Sequence, residues 1–83
     1  MLVIEDERKV ADFVARGLRA ERFAVDVAYD GDSGWDMASV CDYDLVILDL
    51  MLPGIGGTEI LRRMRRAKKD AAVLILPAGA RPG

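Results

Sequence analysis

Asp49 ends the run Asp44-Leu45-Val46-Ile47-Leu48-Asp49, and Leu50-Met51-Leu52-Pro53-Gly54 follows at once. A short apolar strand broken by a turn delivers a carboxylate to a strand's carboxyl end, where open α/β sheets keep their chemistry. A second acidic cluster, Glu5-Asp6-Glu7, follows the apolar run Leu2-Val3-Ile4. If the two strands are parallel neighbours, Glu5, Asp6 and Asp49 meet on one rim. Carboxylates so close repel one another unless a cation sits among them. Hard oxygen donors suit magnesium, and a carboxylate can serve as a nucleophile toward phosphorus. Asp49 is the candidate phosphoacceptor. Asp6 is placed as a direct metal ligand, and Glu5 acts directly or through water. The backbone carbonyl of Met51, two residues on in a tight turn, is expected to face the same site. The plainer reading is that Asp49 caps its turn and residues 5–7 open a helix whose dipole favours acids. Each plain reading stands well singly; the functional one is stronger where both motifs end buried strands.

The elements that must position these groups follow from periodicity. Leu2-Val3-Ile4 suits a buried parallel strand. Val10, Phe13, Val14 and Leu18 mark one face of a helix over residues 7–22, with charged residues elsewhere. Gly17 inside it costs about 1 kcal/mol against Ala, for which close packing is the expected reason. Residues 23–28 alternate as a second strand. After the turn Asp30-Gly31-Asp32, Asp32 or Ser33 is expected to cap a short helix bearing Trp35, Met37, Ala38 and Val40. The third strand is 45–48. Thr58 is expected to cap the next helix, with Ile60, Leu61 and Met64 inward. Residues 71–76 form a fourth strand, and 77–83 (Pro-Ala-Gly-Ala-Arg-Pro-Gly) read as an unstructured or extended tail. The order βαβαβαβ implies an α/β fold with a parallel sheet.

Composition narrows the rest. With 83 residues the chain is one small domain, and a net charge of −2 gives no general attraction to nucleic acid or membrane. No apolar stretch is long enough to span a bilayer. One cysteine, Cys41, excludes an internal disulfide, fits a reducing cytosol, and is expected to be partly buried. With no histidine, zinc and haem sites are disfavoured. The basic run at 62–69 reads as a solvated helix face, with nucleic-acid binding a remote option. Trp35 reads as a partial core anchor.

Val3-Ile4-Glu5-Asp6-Glu7, Ala28-Tyr29-Asp30-Gly31 and the segment from Asp44 through Gly54 resemble the receiver domain of bacterial two-component response regulators. The Met-Leu-Pro-Gly turn is most similar to the subfamily with a winged-helix DNA-binding output. The resemblance covers residues 2–76. It implies a flavodoxin-like, doubly wound sheet of order 2-1-3-4. It also implies phosphoryl transfer to Asp49 from a sensor histidine kinase, with magnesium held by Glu5, Asp6, Asp49 and the Met51 carbonyl. The kinase helix bundle would dock on the first helix. Departures are equally specific. The family carries Thr or Ser just after the fourth strand, where Pro77 stands here, and Gly56 occupies a loop position that is often Asp. The family's last helix-strand-helix, its Lys and its aromatic switch residue are expected to be missing, because the sequence stops first.

Three expectations follow. Residues 1–76 form a partial receiver with impaired switching, a non-enzymatic phosphoacceptor in the cytoplasm with no direct DNA binding. Alternatively, the chain is a non-catalytic module that self-associates or occupies a kinase. In either case the uncharged fourth strand and a bare face over Val3, Val46 and Ile47 would favour a homodimer.

Overall fold

The computed structural model describes residues 1–76; the tail at 77–83 lies outside the described residues. The elements run β1 (Leu2–Ile4), α1 (Arg8–Ala20), β2 (Asp26–Ala28), α2 (Gly31–Val40), β3 (Leu45–Asp49), α3 (Gly57–Arg66) and β4 (Ala72–Leu76). The strands form one parallel sheet of order β2-β1-β3-β4, the expected arrangement. Parallel neighbours need a crossover, and each helix supplies one.

Strand alternation divides the core between two faces. Leu2, Ile4, Val46 and Leu48 point toward α2 and α3, where Ala38, Ile60 and Met64 meet them. Val3 and Ile47 point the other way, onto Ala11 and Ala15 of α1. Leu2, Val3, Ile4, Val46, Leu48 and Ile60 are fully buried. Each such side chain contributes about 1.5–3 kcal/mol, so the central strands are the rigid part of the molecule. Trp35 packs half-buried against the same core, as expected.

Several expectations need correction. The buried stripe of α1 is Val10, Ala11 and Ala15, flanked by Val14 and Leu18, while Phe13 is 75% exposed. Two alanines let the helix lie close on the sheet, and that tilts Phe13 outward. Strand β2 is only three residues long, because Phe23 and Ala24 belong to the turn out of α1 and are exposed. Asp30, not Asp32 or Ser33, caps α2, its carboxylate accepting the Ser33 N–H at 2.7 Å. Gly56 precedes α3, and Thr58 lies inside the helix. Cys41 is exposed at the end of α2. The expected bare face is also wrong, since Val3, Val46 and Ile47 are buried, the first and last under α1 and Val46 under α3. Exposure instead falls on β4, where Leu74 and Ile75 are 54% and 36% accessible.

Gly17 overturns the close-packing expectation, for a Cβ built there meets nothing within 4 Å. The position is solvated helix interior, where alanine is favoured over glycine by about 0.5–1 kcal/mol. Gly17→Ala should therefore raise stability by about that amount, read as a higher urea midpoint at unchanged slope.

Candidate metal and phosphoacceptor site

Register brings the acidic groups together. Ile4 pairs with Leu48 across the β1–β3 ladder, so Glu5 and Asp49 are the next residues at the same rim. The Glu5 N–H donates to the Ala28 carbonyl at 3.1 Å and continues the ladder toward β2. Glu5 and Asp49 are buried, at 1% and 3% accessibility, and Asp6 is half-buried. Each of the three offers a carboxylate oxygen, and these oxygens lie within 4.8 Å of one another. Two such charges repel by roughly 3–4 kcal/mol at an effective dielectric constant of 20. Backbone amides orient two of the groups. The Glu7 N–H donates to Glu5 Oε1 at 2.9 Å, and the Met51 N–H donates to Asp49 Oδ1 at 3.0 Å.

The donor set suits magnesium, being all oxygen and carboxylate-rich, with Asp6 half-exposed to solvent. Glu7 itself is exposed and contributes its amide to the site. Asp30 serves the α2 cap. Leu50 and Met51 are exposed at the rim, and Leu52 anchors the loop in the core.

The loop after Asp49 is fixed at two glycines whose packing role the sequence did not reveal. The Gly31 N–H donates to the Pro53 carbonyl at 3.4 Å, and a Cβ on Gly31 would collide with the Ile55 carbonyl. Gly54 turns the loop with φ +74°, which glycine adopts without strain. The Gly57 N–H donates to the Leu50 carbonyl at 3.3 Å, and a Cβ there would stand 2.5 Å from the Asp49 carbonyl oxygen. Helix α3 thus starts in direct backbone contact with the acidic residue's own peptide. A second unforeseen cluster joins α1 to the end of β2. The Tyr29 hydroxyl donates to Asp12 at 2.7 Å, and the Arg8 guanidinium stacks 4.1 Å above the Tyr29 ring. The bond to Asp12 raises the Tyr29 pKa. Adjacent glycines at 56–57 were the available signal for the first feature; nothing local announces the second.

Gly57→Ala forces backbone against backbone, with an expected loss of about 1–3 kcal/mol. The same substitution should weaken magnesium binding at the Asp49 rim. Urea melts with and without magnesium measure both effects, and the difference between them should shrink in the variant.

Comparison with known proteins agrees with this geometry. The family model described as the response regulator receiver domain matches residues 1–81. The transcriptional regulatory protein CusR of Escherichia coli (strain K12) is 42% identical over 78 residues, 94% of this chain and 34% of its own length. The response regulator ArlR of Staphylococcus aureus (strain Mu50) is 44% identical over 75 residues, 90% of this chain and 34% of its own. The chain therefore spans about a third of the length of these relatives. The response regulator TrrA of Thermotoga maritima, solved with Mg(2+)-BeF, superposes with a TM-score of 0.83 at 34% identity, covering 96% of this chain and 71% of that one. In complex with the histidine kinase ThkA, TrrA again gives a TM-score of 0.83, at 36% identity over 93% of this chain and 66% of that one. With this sheet order, this acidic rim and a match over nearly its whole length, the chain belongs to the response regulator receiver domains of two-component signalling.

Proposed function

We propose that this chain accepts a phosphoryl group on Asp49, with magnesium held by Glu5, Asp6, Asp49 and the backbone carbonyl of Met51. The observation that carries the reading is the meeting of three carboxylates within 4.8 Å at the ends of adjacent strands, two of them buried. When bound, magnesium supplies the charge neutralisation that phosphoryl transfer to a carboxylate requires. The chain's own residues supply position. The Met51 amide fixes the Asp49 carboxylate rotamer, and the Glu7 amide fixes Glu5. An Asp49 oxygen forms a bond to phosphorus as the P–N bond of a kinase phosphohistidine breaks, and the electron pair returns to the imidazole. A histidine kinase as donor is supported by the TrrA–ThkA complex. No helix among the described residues is long and apolar enough to cross a membrane.

Switching is proposed to be impaired. Pro77 follows β4, and residues 77–83 hold no Ser or Thr. The phosphoryl oxygens then lose the hydroxyl donor that family members place there, an interaction of the kind that steadies developing charge in transfer.

The test is intact-mass measurement after exposure to a small phosphodonor with magnesium, with beryllium fluoride as a binding control. The wild type should gain one phosphoryl group and Asp49→Asn none. Amide shifts at Glu5, Asp6 and Asp49 should move at millimolar magnesium. Labelling that persists in Asp49→Asn would sink the assignment.

A second reading is favoured by one observation: β4 is an edge strand in the described sheet, and Leu74 and Ile75 are exposed on it. A non-catalytic module would use that edge to pair with a second copy. Sedimentation at several concentrations should then show association, and Ile75→Lys should abolish it. A monomer whose melting temperature ignores concentration excludes this reading.

A further inference from the structure

The basic segment at residues 62–69 is unused by the acidic site. Six of the chain's 12 Lys and Arg side chains fall in these eight residues, which contain no Asp or Glu. The other 75 residues hold the remaining six and all 14 acidic residues. The whole-chain charge of −2 therefore averages two very different surfaces.

The fold sorts these cations. Ile60 and Met64 of α3 face the core, which turns Arg62, Arg65 and Arg66 to solvent. Past the helix end, the Lys68 N–H donates to the Arg65 carbonyl at 3.1 Å and the Lys69 N–H to the Met64 carbonyl at 2.9 Å. That turn keeps exposed Lys68 beside Arg65. Arg63 is half-buried over the Trp35 ring, and Lys69 reaches Asp42 at 3.1 Å. Glu59 is shared by Arg62, Arg63 and Arg66, at 3.6, 3.3 and 2.9 Å. One carboxylate is thus spread over three guanidinium groups. Four cations are exposed, Arg62, Arg65, Arg66 and Lys68, and two of them, Arg62 and Arg66, share Glu59.

We infer that this face binds the phosphate backbone of duplex nucleic acid without sequence preference. Protein interfaces centre on apolar or aromatic anchors, with charges depleted at the centre. Between residues 62 and 69 the only exposed apolar side chain is Ala67. A surface that is nearly all cation makes a poor protein-docking site and a good match to a line of phosphates. Along α3, positions 62 to 66 span roughly 6 Å, about the rise of two nucleotides, and Lys68 extends the row past the helix end. Three of the four exposed cations are arginines, whose planar fork suits phosphate oxygens.

Fluorescence anisotropy of a labelled mixed-sequence 20-bp duplex, titrated with the full chain, tests this. With about four phosphates contacted, affinity should fall by three to four decades per tenfold rise in salt. Replacing Arg65 and Lys68 together by Gln should reduce that slope by about 2 and weaken binding about equally on two unrelated duplexes. Glu59→Gln, which frees the shared guanidinium groups, should tighten binding several-fold. Circular dichroism melts of each variant separate lost binding from lost fold. Poly-glutamate that competes at equal charge concentration better than the duplex would reassign the face to an acidic polypeptide and overturn the inference. Binding unchanged by the double substitution, in a folded variant, would overturn it as well.

Discussion

Three negative charges held within 4.8 Å are the constraint on which this structure is arranged. Left alone, such a group would swing apart into water, since each pair repels by several kcal/mol at the dielectric of a half-buried site. The swing is blocked from behind. Ile4 and Leu48, the residues just before Glu5 and Asp49 on the two strands, are fully buried and paired with one another. A slip of one residue in that ladder would turn both side chains to the wrong face of the sheet. Packing energy from the apolar strands, not attraction among the acids, brings the carboxylates together. Charge is then managed locally, by amides at Glu7 and Met51 and by the space for a hard cation.

The loops extend that logic. Helix α1 begins three residues after Glu5, and α3 begins eight residues after Asp49, with Gly57 against the Asp49 peptide. Both helix N-termini therefore lie at the acidic rim, where their dipoles favour negative charge. Glycine at 31 and 57 lets backbone touch backbone, so the loop at 50–56 is set by contacts that no side chain could replace.

Much of this was legible in the sequence because its strongest signals are short-range. Apolar runs ending in acids identify β1 and β3, and with them Glu5, Asp6 and Asp49. The helical spacing of Ile60 and Met64 identified the inner face of α3. The failures share a cause: each depended on what lies across space. Phe13 fits the α1 stripe by spacing, yet Ala11 and Ala15 set the approach to the sheet and leave it outside. Gly17 looked like a packing glycine and faces nothing. Asp30, Asp32 and Ser33 are all acceptable caps, and only the path of the chain into α2 selects Asp30. Val46 was expected bare beside Val3 and Ile47, yet strand alternation turns it to the opposite face, into the core of Ala38, Ile60 and Met64.

Strand β4 connects the remaining features. Its ladder with β3 runs through five residue pairs, from Leu45 with Ala72 to Asp49 with Leu76. Asp49 thus closes the β3–β4 ladder, one residue past the last β1–β3 pair at Leu48. Leu74 and Ile75 on that edge leave apolar surface uncovered, which withholds from the strand part of the roughly 1.5–3 kcal/mol that full burial of each would contribute. Edge strands with few buried contacts are the first to open in local fluctuations. Opening here would release the backbone partner of Asp49 itself. A contact that covered Leu74 and Ile75 would therefore also stiffen the acidic site from behind. Cover over the edge and order at the Asp49 rim would consequently be linked through one ladder, and a ligand that orders the rim should in turn favour the covered edge.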